Sequence, residues 1–289
     1  MCSHHRPSLK CREWISQGGA PSLRGVLTRP VAQTIAAILL VGFLLGCVGS
    51  SDRLHRFREA VLTERQSEAR VRQVDEAYAP PRTVANVQYS LATALTSITR
   101  YNRHEILWRG ARSALWLAEH VADSVNQREY ASLGLRLAEE SVRVAPERVE
   151  GPFFQALHYG ALSKLDGTSA HLGSMATLGN RAIELDETFD HAGPHRFLGL
   201  LYYKTESRLF TAGGSLEDAL THLHRACELA PGYSINHLAY AQALAEDDQI
   251  AKAKNQLRAA IQLTPPLGDE DRHAEWVATT REALGNLKN

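Results

Sequence analysis

The chain has 289 residues, 44% of them apolar, with 32 Lys and Arg against 32 Asp and Glu. That length supports one sizeable domain or two small ones. The charge balance excludes the basic surface of a nucleic-acid binder, ordinary Gly and Pro contents exclude bulk disorder, and four Cys exclude a disulfide framework.

Thr34 to Gly46 is apolar, uncharged and followed by Cys47. A membrane-spanning helix needs about 20 residues, so this run reads as the core of a secretory signal, with Arg24 and Arg29 as its positive flank. Leu44-Leu45-Gly46-Cys47 resembles a bacterial lipobox, which predicts cleavage before Cys47 and acylation of its thiol. Residues 1–46 are therefore read as a signal segment. Residues 1–25 are read as a start placed too far upstream, because Met1 and Met175 are the only methionines. Residues 47–52 form a lipidated linker, and the mature body carries 27 basic against 31 acidic residues. The expected location is the cell envelope, on the periplasmic side of the outer membrane.

No period-2 strand pattern follows Cys47, and apolar residues recur three and four apart. Residues 53–146 read as an N-terminal helical region. Arg53 to Tyr78 is a charged helix stopped by Pro80-Pro81. Thr83–Arg100, Glu105–Val121 and Asn126–Val144 are amphipathic helices.

Residues 147–289 read as tetratricopeptide-like repeats with a capping helix. Ala219-x3-Leu223-x2-Ala226-x4-Pro231 is matched by Ala253-x3-Leu257-x2-Ala260-x4-Pro265, 34 residues on. His195-x2-Leu198-Gly199-x2-Tyr202 matches the first-helix pattern, with His in place of Trp. Weaker copies fall at Gly134, Ala138, Ser141 and Pro146, and at Ser174, Leu178, Ala182 and Glu187. Small residues allow close helix approach, and each pair buries its face only by stacking. The predicted fold is all-α, a right-handed solenoid of antiparallel helix pairs.

Arg181 to Asp190, then Gly193, Leu198-Gly199, Gly213-Gly214, Ala219, Arg225-Ala226 and Glu228-Leu229 resemble the T-component (TatT) family of TRAP transporters. The similarity runs from about Gly151 to Leu263. The resemblance implies a lipid-anchored periplasmic adaptor for the transporter's solute-binding receptor, and a homo-oligomer with a passage for an apolar ligand. A general scaffold for cell-envelope assembly, and a small-ligand carrier acting alone, are the other readings.

No residue set nominates catalysis, a metal or a cofactor. Gly193-Pro194 separates His191 from His195, and His222 and His224 point to different helix faces. Gly213-Gly214-Ser215 lacks the phosphate-loop Gly-Lys-Ser/Thr and reads as a turn, with Ser215 and Asp218 forming a capping box. Cys227 reads as a buried thiol. First helices of such repeats line the concave face, which nominates Arg196, Leu200, Tyr203, Leu238 and Gln242 for partner or ligand contact. The inserted loop from Lys204 to Gly214 is a second candidate surface.

Overall fold

The computed structural model describes residues 64–99, 103–205 and 214–287. Cys47, the lipobox and the apolar run lie outside the described residues, as does most of the Lys204–Gly214 loop. Among the described residues there are eleven helices and no strand.

The N-terminal helices are α1 (Glu64–Tyr78), α2 (Val84–Thr96), α3 (Arg103–His120) and α4 (Ser124–Val144). Next come α5 (Glu150–Asp166), α6 (Leu172–Asp186), α7 (Phe189–Thr205) and α8 (Leu216–Leu229). The last three are α9 (Ser234–Glu246), α10 (Ile250–Gln262) and α11 (Glu270–Asn286). Each helix packs on the next, and short connections make neighbours antiparallel. Alternate helices are therefore parallel, and α3 touches α5 as α5 touches α7. The result is a helical solenoid.

Helix starts follow local chemistry. Thr83 and Asp123 accept the amides of Asn86 (3.1 Å) and Asn126 (3.0 Å) as N-caps. At α8 the capping box forms: the Asp218 amide donates to Ser215 Oγ (3.1 Å) and the Ser215 amide to the Asp218 carboxylate (2.8 Å).

The repeat positions pack as their spacing dictates. Ala219, Leu223 and Ala226 on α8, and Ala253, Leu257 and Ala260 on α10, are all buried. A Cβ on Gly199 would enter the space of the Leu223 side chain, so α7 and α8 approach this closely only with glycine there. Burying one leucine contributes about 1.5–3 kcal/mol. The copy at Ser174 departs from expectation. Ser174 is exposed and Leu178 half-buried, while Met175, Ala176 and Gly179 face inward. There Leu198 fills the space a Cβ on Gly179 would take, and Met175, Gly179 and Ala182, spaced four and three as in the other copies, are the inward positions in place of Ser174 and Leu178.

Two features shape the concave side. The start of α7 contains three residues in left-handed backbone, Asp190 (φ 49°), His191 (φ 56°) and Ala192 (φ 62°), ahead of Pro194. That conformation is unfavourable for residues bearing a Cβ and persists only when surroundings fix it. Arg196 donates to the Asp190 carboxylate (2.8 Å) and to the carbonyls of Asp190 and His191 (3.3 Å each), while Asn236 donates to the His191 carbonyl (3.1 Å).

The second feature is closure. Arg82, just after α1, reaches the start of α11. Its amide donates to Asp271 (2.8 Å), and its guanidinium donates to Asp271 (2.5 Å), the Gly268 carbonyl (2.5 Å) and Asp269 (3.3 Å).

Candidate binding site

The parallel helices α3, α5 and α7 each present a file of side chains to one cavity of about 1000 Å³. On α3 the file is Arg109, Arg112, Leu115, Trp116 and Glu119; on α5 it is Phe153, Phe154, Leu157, Gly160, Ser163 and Lys164. On α7 it is Gly193, Arg196, Phe197, Leu200, Leu201 and Lys204. The spacing of three and four is that of one helix face. Leu172 and Met175 of α6 close the floor, and Tyr78, Arg82, Asp269 and Arg272 close the side where the solenoid's ends meet.

The middle is apolar and aromatic. Phe153 packs edge-on against Phe154 and Phe189, both at 5.5 Å between ring centroids. Trp108 stacks on Phe154 from behind at 6.0 Å. The wall beside it is cationic. Arg112 and Arg82 lie over the ring of Tyr78 at 3.9 and 4.7 Å. Asp75 serves both Arg109 and Arg112 at 2.8 Å, so two guanidinium groups share one carboxylate. The buried Nε of Arg82, Nε of Arg112 and hydroxyl of Ser163 have no hydrogen-bond partner among the described residues. Burial lowers the proton affinity of Arg112 and raises that of the Tyr78 hydroxyl and the Glu119 carboxyl.

The lining carries seven cationic side chains (Arg82, Arg109, Arg112, Lys164, Arg196, Lys204, Arg272) against four acidic ones (Asp75, Glu119, Asp190, Asp269). Outside the lining, Asp271 pairs with Arg82 and Glu105 with Arg109.

Of the residues nominated from sequence, Arg196 and Leu200 line this cavity. Tyr203 packs on the clusters around Leu198 and Leu223. Leu238 is buried with Leu244 and Leu257, so it packs on its neighbours and does not present a surface. Gln242 is half-buried and away from the cavity. The register argument failed at Leu238 because α9 is covered by α10 and α11. The arginines of α3 and the Tyr78–Arg82 corner escaped sequence reasoning. Their signal was the series Arg109, Arg112 and Trp116, three and four apart, in a region read for its apolar stripe.

Other polar groupings are structural. His104 Nδ1 sits 3.0 Å from Ser141 Oγ and its Nε2 3.4 Å from Glu150. This trio lies outside that cavity, and Ser141 is fully buried. Burial opposes the charge of Glu150, but hydrogen bonds from His104 and Arg148 pull its carboxyl down to about 2. His195 Nδ1 lies 2.9 Å from His222 Nδ1 and its Nε2 3.1 Å from Glu187, whereas His224 is exposed. Among the described residues, no group of three His, Cys, Asp or Glu is placed to hold a metal ion. None of the described helices is long and apolar enough to cross a membrane. Cys227 is buried, which pushes its thiol up to about 12.

Comparison with known proteins corrects the sequence-based family. Among curated proteins there is no significant match. A family model described as regulator of microtubule dynamics protein 1-3 matches residues 71–285, well over half of the chain. This overturns the resemblance to the TRAP T-component, and with it the transporter-adaptor role and the envelope-assembly alternative. The reason is physical. Ala182, Leu198, Ala219 and Ala226, which carried much of that resemblance, are buried packing positions. They report how closely helices approach, and solenoids with unrelated partners share that need. The extent of the match, from the middle of α1 to the end of α11, places this chain in the regulator of microtubule dynamics protein 1-3 family.

Proposed function

We propose that this chain is a non-catalytic binding module that holds part of a partner in the cavity between α3, α5 and α7. One observation carries the reading: three parallel helices turn aligned files of side chains onto a single cavity of about 1000 Å³. Ligand cavities run to about that size and combine apolar walls with a few placed polar groups. The family description supplies the first partner class to try, microtubules or proteins bound to them.

The test is photo-crosslinking from a benzoylphenylalanine placed at Leu157, together with co-sedimentation with microtubules. Gly160→Phe fills the cavity from a helical position whose Cβ would meet only the Met175 methyl, at 3.3 Å. The expected result is an adduct and a partner lost in Gly160→Phe at unchanged helicity and melting temperature. Equal binding by the filled variant refutes the reading.

We further propose that Cys47 tethers the body to a membrane surface. The Leu44-Leu45-Gly46-Cys47 sequence supports this, and lipidation without a spanning segment gives such an anchor. Cys47→Ala is expected to leave the membrane fraction; a variant that still pellets with membranes ends the proposal.

A further inference from the structure

Two parts of the fold each need an outside hold. The left-handed turn of Asp190, His191 and Ala192 is penalised at every residue, because each carries a Cβ. Its carbonyls are tied to Arg196 and Asn236, and such a conformation persists only while its surroundings fix it. The closure is a side-chain contact: α11 packs on α9 and α10, and Arg82 ties it to the start of the solenoid.

One buried side chain, Tyr233, touches both parts. It stands just ahead of α9. Its ring stacks on His191, with 4.2 Å between centroids and 14° between planes, and the Arg196 guanidinium lies 5.1 Å from its centre. It meets Trp276 of α11 edge to face at 5.2 Å. Its hydroxyl donates to Asp269 (2.8 Å), the residue just before α11. Asp269 also accepts from Arg82 (3.3 Å) and from the Nε of Arg272 (2.9 Å). Turn and closure are thus joined through groups in direct contact, and a buried polar network of this kind holds or yields as a set.

The left-handed turn is the element with two arrangements. Ordinary right-handed or extended backbone is open to all three residues once their carbonyls are released. Moving the turn takes His191 and Arg196 off the Tyr233 ring. The ring and its hydroxyl can then leave Asp269, and Asp269 can leave Arg82. The same sequence runs backwards from the closure, as linkage requires.

We infer that the left-handed turn and the closure open and shut together as one unit, with Tyr233 as the positioning residue between them. Asp190 and Arg196 at one end of this unit, and Arg82, Asp269 and Arg272 at the other, all line the cavity. The unit therefore controls the side of the cavity where the solenoid's ends meet, whether or not a partner occupies it.

Hydrogen exchange of the full chain, read by peptide mass spectrometry, tests this. The reporters are amides of residues 189–197, covering the turn, and 270–276 in α11, with α4 as the control. Arg196→Met keeps an apolar stem and removes the donors. Loss of these charge-assisted hydrogen bonds should speed exchange in the turn about tenfold. Coupling should speed exchange in α11 about fivefold as well, with α4 unchanged. Arg82→Met should do the converse, loosening α11 and the turn with it. Tyr233→Phe keeps the ring and loses the hydroxyl; in that background Arg196→Met should change α11 by less than about twofold. If Arg196→Met does not fold, Arg196→Lys, which retains the charge beside Asp190 but not the planar set of donors, should give the same pattern at smaller size. A loosened turn beside unchanged α11 exchange overturns the proposal. So does propagation that survives Tyr233→Phe, because the coupling would then run by another path. Equal acceleration in α4 also overturns it, because the chain would then open as a whole.

Discussion

Arg82→Ala is the perturbation that most directly tests how the solenoid is closed. The Arg82 side chain is 5% exposed, and it spans to Asp271 (21% exposed) and Asp269 (8% exposed) some 190 residues away. Removing one member of a buried ion pair costs about 3–5 kcal/mol, because the remaining charge is left without its partner. Here Asp269 keeps Arg272 (2.5 Å) and the Tyr233 hydroxyl (2.8 Å), and Asp271 keeps the backbone amide of residue 82 (2.8 Å). The loss therefore belongs at the low end, about 3 kcal/mol. Urea denaturation measures it, and hydrogen exchange locates it: amides of α11 should exchange faster than those of α4. Arg82→Lys should recover only part, since an ammonium reaches one carboxylate but not the planar set of two carboxylates and a carbonyl. A loss below about 1 kcal/mol, with α11 protection unchanged, would refute closure through this contact.

Leu257→Ala should cost about 3 kcal/mol by urea denaturation, whereas Leu178→Ala, at the copy where the register shifts, should cost less than half of that; equal losses would reject the shift. Burial lowers His158 to about 4 from an unfolded value near 6.5, so the unfolded chain takes up a proton first as the pH falls. Stability should be complete above about pH 6.5 and decline toward pH 4, by about 3 kcal/mol from this residue. His222, also lowered to about 4 by burial and then by His195, adds to the same decline. His158→Gln should flatten the dependence between pH 6.5 and 4.5; an unchanged slope would remove His158 as its source. Cys227, pushed up to about 12, should resist iodoacetamide at pH 8 in the folded chain and react in urea, as read by peptide mass spectrometry.

The sequence by itself determined the class of fold and much of its packing. Apolar spacing of three and four requires helices, and a 34-residue recurrence of small and large residues requires stacked pairs. Hence Ala219, Leu223, Ala226, Ala253, Leu257 and Ala260 are buried as their pattern dictates. Capping is equally local, so Ser215 and Asp218 were legible at a separation of three residues. The family was not, because the residues that suggested one serve packing, which partners do not constrain.

Only the tertiary structure decided the cavity. Arg82 meets Asp271 through the curvature of the whole solenoid, a sum of small rotations between successive pairs. No local pattern encodes that sum. The left-handed turn at Asp190–Ala192 is hidden for the same reason: residues of this kind adopt it when Arg196 and Asn236, the latter 45 positions from His191, hold its carbonyls. Local periodicity fixed which face of each helix is buried. The accumulated geometry of the eleven described helices fixed which faces enclose a space, and which charges look into it.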